Sequence, residues 1–505
     1  HLGINGTMAI VLPHGVLFRG AAEGEIRKRL LDKGLLDTII GLPSNLFTNT
    51  GIPVVVMVLK KNRNIGDPVL VIDASRSFIK VGKQNVLEEK DIAKIVDTYS
   101  NRMEIPGYSH LATREEIIDN DYNMNIPRYV ESIDSEIPHD VDAHILGGIP
   151  QKNIEELSVL NLSVPDILDN SLNPIRPGYV ELINSIDDLT EEVLRDSRII
   201  NKTNEVAAKS EEYISKYWDS LRNVTRPTDI LQLREDMLDE IKQLLSEFEF
   251  IDVYDGYQII ADIWKEALTH DIELIAASDF YTVARTREPN MVTKGTGKNK
   301  REEQDGWVGS IVPNELIAER LYTEELNEIK NKQSRVQEVD IELSELVEAA
   351  KVEDTDENNA LYEVIKKNEE DEPQDSFENK TVKSELKNAR KGTTEYDLLK
   401  KVDELMAEKA MLGKAIKAEE KTLKEMVYDR IMSLTNEEID GLVHEKWFGN
   451  VVADLVNLVT IPLKAELRTL DMLNKRYANT LSELDTEIRT LEEAFETLMS
   501  EMVVE

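Results

Sequence analysis

The chain has 505 residues, 41% of them apolar, enough for roughly two to four domains of ordinary size. It contains no cysteine, which removes disulfide frameworks, thiolate metal sites and cysteine nucleophiles and fits a cytoplasmic protein. A net charge of −38 argues against polyanion binding throughout, yet residues 1–134 hold 16 Lys and Arg against 17 Asp and Glu, so the acid belongs to residues 135–505.

The first residues, His1, Leu2 and Gly3, lead into an apolar run without an initiator Met, the pattern expected of a chain entered partway through. Met8–Leu12 is closed by Pro13, and Leu36–Leu42 and Val54–Leu59 are Ile/Val-rich runs, as expected of strands buried on both faces. Between the first two, Glu25–Lys33 reads as a helix stopped by Gly34. Val69–Asp73 reads as an edge strand, Leu87–Tyr99 as a second helix, and Ile126–Val130 closes the unit. This rhythm predicts an α/β domain over residues 1–134. No apolar run approaches the roughly 20 residues of a membrane-spanning helix.

Residues 135–310 predict a mainly helical middle region, with helices over Ile186–Trp218 and Thr228–Phe248 and turns at Asn173-Pro174 and Arg176-Pro177-Gly178. Val283–Arg301 reads as a basic loop whose Arg285, Arg287, Lys294, Lys298, Lys300 and Arg301 are candidate DNA-backbone contacts. Residues 311–505 predict a helical, coiled-coil region with a polar, solvated excursion near 353–380. Leu467, Leu470, Asn474, Tyr477, Leu481, Leu484, Ile488, Leu491, Phe495, Leu498 and Met502 fall alternately three and four apart, the a/d spacing of a seam of about five heptads. Shorter runs lie at Leu398–Met426 and Ile329–Leu346. Such seams pack within the chain or against a partner helix, and the spacing alone leaves both open.

Other strings carry less. His139, Asp140, Asp142 and His144 fit no standard metal spacing, so no metal is expected. Gly295-Thr296-Gly297-Lys298 lacks the spacing, the following Ser or Thr and the preceding strand of a phosphate loop. His444-Glu445-Lys446-Trp447 lacks the second histidine of a zinc-protease helix, and Trp447 and Phe448 read as core.

Four phrases carry a resemblance: GTMAIVLPHGVLFRG (Gly6–Gly20), IIGLPSNLFTNTGIPVVVMVLKK (Ile39–Lys61), DASRSFIKVGKQNVLEEKDIAKIVDTY (Asp73–Tyr99) and DNDYNMNIPRYV (Asp119–Val130). Together they resemble the late part of modification subunits of type I restriction-modification systems, which are adenine-specific DNA methyltransferases. DVYDGYQIIADIWKEAL (Asp252–Leu268) and DGWVGSIVPNELIAERLY (Asp305–Tyr322) look like the tails of longer members.

The resemblance implies the C-terminal part of a Rossmann-like methyltransferase sheet and transfer of a methyl group from S-adenosylmethionine to the 6-amino group of an adenine taken out of the duplex stack. The family's glycine turn for the cofactor and its Asn/Asp-Pro-Pro-aromatic motif are both missing, for no two prolines are adjacent. In family order both precede Gly6, so the chain alone is expected to be inactive. Phe47 falls where relatives place a residue beside the flipped base, with Thr50 and Gly51 shaping the loop. His14 reads as a hydrogen-bonding residue, since methyl transfer asks little of an acid-base group. The implied partners are a specificity subunit, a second modification subunit, a restriction subunit and double-stranded DNA. A non-enzymatic helical interaction protein with a degenerate methyltransferase remnant is the alternative.

Overall fold

The computed structural model describes residues 2–48, 50–131, 137–294, 300–352, 356–368 and 372–502, with the side chains of 352, 356–359, 482 and 500–502 excepted. The chain divides into two compact units, one of His1–Asp219, Asp229–Glu266 and Asn450–Glu505, the other of Ser220–Thr228 and Ala267–Gly449.

The first unit opens with a five-stranded sheet. Its strands are β1 (Thr7–Pro13), β2 (Leu36–Gly41), β3 (Val54–Lys60), β4 (Val69–Asp73) and, after the small β5–β6 hairpin (Ile79–Val81, Gln84–Val86), β7 (Ser109–Ala112). The order is β1-β3-β2-β4-β7. β3 runs antiparallel to both β1 and β2, while β2 and β4 are parallel, so β1, β2 and β4 end on the same side. Val69–Asp73, expected at an edge, lies inside the sheet, because the short Ser109–Ala112 segment adds outside it.

Helix α1 (Ala21–Asp32) covers one face over Leu17, Leu36, Ile39, Val55, Met57 and Val71, and helix α2 (Glu89–Asn101) covers the other over Ile40, Leu70, Ile72 and Tyr108. β2 is buried along its whole length, as its apolar run requires. β1 is not: Met8, Ile10 and Val11 stay more than a third exposed on an edge with no outer strand among the described residues.

One acid breaks the apolar pattern of β2. Asp37 is 3% exposed and lies 3.1 Å from Arg63, 3.3 Å from Lys60 and 3.3 Å from Arg102. The three cations come from β3, the following link and the end of α2, so one buried carboxylate fastens three segments. Burial pulls the Arg63 guanidinium below its ordinary pKa, with Asp37 opposing.

In the same unit α2 packs on α7 (Val253–Ile263) through charged pairs, Lys90 to Asp255 at 2.9 Å and, from the preceding helix α6 (Ile230–Leu245), Lys242 to Asp97 at 2.9 Å. Upstream are α3 (Val141–Leu146), α4 (Ile186–Arg195) and α5 (Ser197–Arg222), the last two separated at Asp196 where one helix was expected. A second core gathers Leu160, Leu168, Leu189 and Val193 around Leu463, Leu467, Leu470 and Tyr477 of the C-terminal helical segment.

In the second unit, β8 (Arg287–Lys294) and β9 (Arg301–Gly309) pair antiparallel where a loop was expected; residues 295–299, Lys298 included, lie outside the described residues. Helices α8 (Thr323–Val352) and α9 (Thr394–Ile431) run antiparallel, joined by Lys332–Glu419, Arg335–Glu408 and Asp340–Lys409 ion pairs, so the two shorter heptad runs pack on each other. The region near 353–380 holds more order than its composition suggests: Leu361, Val364, Ile365 and Phe377 are buried beside Leu399 and Val402. Few apolar anchors suffice there because the long helices offer a ready surface.

The long seam divides. Helix α10 (Asn436–Phe448) is followed by α11 (Val451–Arg476) and α12 (Leu481–Met502), with a break at Tyr477–Thr480. An 18-residue window within Asn436–Arg476 reaches a mean hydropathy of 1.2, enough for a membrane span by length and composition, yet Leu455, Leu458, Leu463, Leu467 and Leu470 are buried in the protein.

Candidate functional site

The carboxyl ends of β1, β2 and β4 bring Pro13, Gly41 and Asp73 to one edge, the place where ligands bind in open α/β sheets. Above Gly41 sits Ile126: a Cβ on Gly41 would stand 2.5 Å from Ile126 Cδ1 and 3.6 Å from Asp73 Oδ1, so a side chain there would push the Ile126 end aside. The segment carrying Ile126 is tied to the turn after β1, with Met124 N–H donating to Leu17 O at 2.9 Å and Arg27 donating to the carbonyls of Val16 and Tyr122. Asn125 Oδ1 is buried without a hydrogen-bond partner among the described residues, an unmet acceptor on this segment.

Between β2 and β3 the chain makes the loop that bears Phe47, 45% exposed. Phe47 O accepts from Thr50 N–H at 3.4 Å, and Thr50 Oγ1 accepts from Ile52 N–H at 3.3 Å. A Cβ on Gly51 would stand 2.9 Å from Asn45 Oδ1. Asn49 lies outside the described residues. The loop is held from below by Asn85, 8% exposed, whose side chain donates to Ser44 O at 2.8 Å and whose backbone N–H donates to Asn45 O at 3.0 Å. Sequence reasoning missed Asn85, which sits in the polar run Lys83-Gln84-Asn85 with nothing local to mark it.

His14 follows β1, its N–H donating to Pro53 O at 3.1 Å, and its ring meets Phe18 edge-on at 5.7 Å. Burial holds its imidazole below the ordinary histidine value, with the Asp73 charge opposing, so it is neutral at pH 7. An exposed aromatic, a neutral imidazole, a carboxylate and an unmet amide oxygen suit the holding of a polar, planar ligand rather than proton transfer.

S-adenosylmethionine finds no such fit. β1 ends on Pro13 and the turn after β2 contains Pro43, neither with an N–H to donate, and a Cβ on Gly15 would meet the Arg19 guanidinium at 2.9 Å. Among the described residues of these two links, only Gly20 has open space around it.

The other sequence candidates scatter. Arg285 donates to Leu434 O at 2.7 Å and to Asn436 Oδ1, and Arg287 to Tyr428 O at 2.7 Å while lying over the Trp307 ring. Both are engaged inside their unit. Arg301 pairs with Glu303 at 3.3 Å and faces Lys294 across the strand pair, with Lys300 next to it in sequence. His139 and His144 share a hydrogen bond of 2.8 Å, but Asp140 is occupied by the Ala143 N–H and by Tyr179, and no metal-holding cluster occurs among the described residues. Trp447 is buried, its Nε1 donating to Asp271 at 2.8 Å.

The seam residues part company. Leu467, Leu470 and Tyr477 are in the chain's own core, whereas Leu481, Leu484, Ile488, Leu491, Phe495 and Leu498 are all exposed on α12. Asn474, on α11, is half-buried.

Residues 1–137, which contain this sheet and its edge, match the N-6 DNA Methylase family model. The chain is also similar to methylase subunits of type I restriction enzymes. The MpnII subunit of Mycoplasma pneumoniae is 35% identical over 185 residues, 37% of this chain and 31% of that one. The MjaVII subunit of Methanocaldococcus jannaschii is 38% identical over 179 residues, 34% and 29% of the two chains. The chain thus spans about a third of the length of these curated relatives. Among solved structures, the type I restriction-modification system methyltransferase subunit from Streptococcus thermophilus is 56% identical over 25% of this chain and 27% of that one, with a TM-score of 0.25.

Proposed function

We propose that this chain is the back part of a type I modification subunit, an adenine-specific DNA methyltransferase that moves a methyl group from S-adenosylmethionine to the 6-amino group of adenine. The observation that carries the reading is the sheet edge: β1, exposed along its free side, and a carboxyl-side loop that displays Phe47 to solvent. An exposed apolar edge strand is a template on which a further strand can pair. The cofactor turn and the double-proline motif belong to strands of that kind. Phe47 then packs beside the extruded base, an aromatic face being suited to that, while Thr50 and Gly51 set the loop.

The chain by itself holds neither cofactor nor reacting amine and is inactive. Its partners are a specificity subunit, a second modification subunit, a restriction subunit and double-stranded DNA. The exposed stripe of α12 is the surface for the specificity subunit, and Lys294, Lys300 and Arg301 add weak DNA-backbone contacts. Residues 1–134 make up the back half of a Rossmann-like domain, and the protein works in the cytoplasm.

The test is to co-express the chain with a type I methylase front half and a specificity subunit, then measure N6-methyladenine in DNA. Methylation that requires all three, and falls at least tenfold with Phe47→Ala, is expected. Methylation by the chain alone contradicts the reading.

A further inference from the structure

In a chain of net charge −38, residues 74–87 contain Arg76, Lys80 and Lys83 and no acid at all. The segment is the β5–β6 hairpin with its approach. All three cations are exposed and make no ion pair with any described residue, unlike Arg285 and Arg287, which are spent on internal contacts. Between them the hairpin shows solvent Phe78, Ile79 and Val81, at 40%, 42% and 55% exposure. Its two-residue turn, Gly82-Lys83, has Gly82 at φ +62°, a conformation that glycine adopts without strain, and this puts Lys83 at the tip.

The hairpin is not free to wander. Asn85, buried in the middle of β6 opposite Lys80, bonds both Ser44 and Asn45, so the hairpin is fixed to the loop that carries Phe47. A rigid two-stranded ribbon with unpaired cations beside an exposed aromatic has the dimensions of elements that lie in or along a DNA groove. Asp73, Glu88 and Glu89 bracket the segment in sequence, yet none of the three cations is ion-paired with a described residue, which leaves them available to phosphate.

We infer that the β5–β6 hairpin is a phosphate-backbone clamp for double-stranded DNA, in which Arg76, Lys80 and Lys83 position the duplex next to the Phe47 loop. This rests on the proposed methyltransferase function. Each cation that meets a phosphate releases counterions, so each adds about 0.9 to the slope of log binding constant against log salt concentration.

The test uses the whole chain and a fluorescent 30-base-pair duplex of random sequence, with binding followed by anisotropy between roughly 50 and 200 mM salt. The triple variant Arg76→Gln, Lys80→Gln, Lys83→Gln is expected to bind at least tenfold more weakly at low salt, with a slope shallower by about 2 to 3. Lys294→Gln with Arg301→Gln is expected to change the slope by less than one. Circular dichroism that matches the unmodified chain shows the variant folded; should it not match, the single variant Lys83→Gln at the exposed tip decides, with an expected loss of about 0.9 in slope. If the unmodified chain binds duplex and the folded variant binds equally, the clamp is overturned while the methyltransferase reading stands, and the hairpin's cations belong to a protein partner. If the unmodified chain does not bind duplex at all, the clamp is overturned whatever the variants do, and the methyltransferase reading is then judged on methylation by the reconstituted enzyme.

Discussion

The side-chain amide of Asn85 donates to the carbonyl of Ser44 at 2.8 Å, joining the middle of β6 to the start of the Phe47 loop. Replacing it, Asn85→Ala, leaves that carbonyl without its partner in a largely buried place, a cost of about 1–3 kcal/mol. Hydrogen exchange reads the local effect. Amides of residues 42–53 and 79–86 should exchange faster while β2 and β4 keep their protection; unchanged loop exchange would show that Asn85 holds nothing.

Asp37 is the electrostatic knot of the sheet, facing Arg63, Lys60 and Arg102. Asp37→Asn leaves three cations around a neutral group and should destabilise the first unit by about 3–5 kcal/mol, the cost of breaking a buried ion pair on one side. Urea unfolding followed through exchange of the β2 and β3 amides measures it. A loss under about 0.5 kcal/mol would place the pairs in the class of weak surface bridges.

His110 gives the clearest pH dependence. Burial pulls its imidazole down, but hydrogen bonds to Glu116 at 3.0 Å and Glu104 at 2.5 Å, with their charges, outweigh this and raise its pKa. A pKa raised in the folded state means that the protonated ring binds more tightly than in the unfolded chain. The stabilisation is full below the unfolded value near 6.5 and is lost as pH rises through the raised folded value. Denaturation midpoints of the unmodified chain should therefore drop from pH 6 to pH 8 more steeply than those of His110→Gln. Identical pH profiles would remove the histidine from the account.

The divided seam predicts two different phenotypes. Leu467→Asp with Leu470→Asp puts charges into a core where both side chains are about 2% exposed or less, and the chain should fail to fold. Leu481→Asp with Leu484→Asp alters side chains 56% and 42% exposed, and should leave melting within about 0.5 kcal/mol of the original while abolishing co-purification with the specificity subunit. Undiminished co-purification would remove α12 as the docking surface.

Much of this was legible in the residues. Continuous Ile/Val runs marked β2 and β3 because strands buried on both faces leave no polar alternation. Helical spacing found α8, α9, α11 and α12. What the spacing did not carry was the break at Tyr477: the three-four rhythm runs on through it, since a helix can end without disturbing which residues are apolar. The β8–β9 pairing was hidden by its composition, for its strands alternate charge with few apolar residues and pair chiefly through the backbone. The loop of Phe47 was recognisable only by family resemblance. Its anchor, Asn85, and the cover of Ile126 over Gly41 are contacts between distant segments, which local patterns do not contain.

That this chain is the back part of a larger methyltransferase is tested most directly by the genomic reading frame upstream of the His1 codon. The predicted result is an in-frame extension that encodes a glycine turn for S-adenosylmethionine and an Asn/Asp-Pro-Pro-aromatic motif. A start codon immediately before His1, with no such extension, would contradict it and leave a helical interaction protein carrying a methyltransferase remnant.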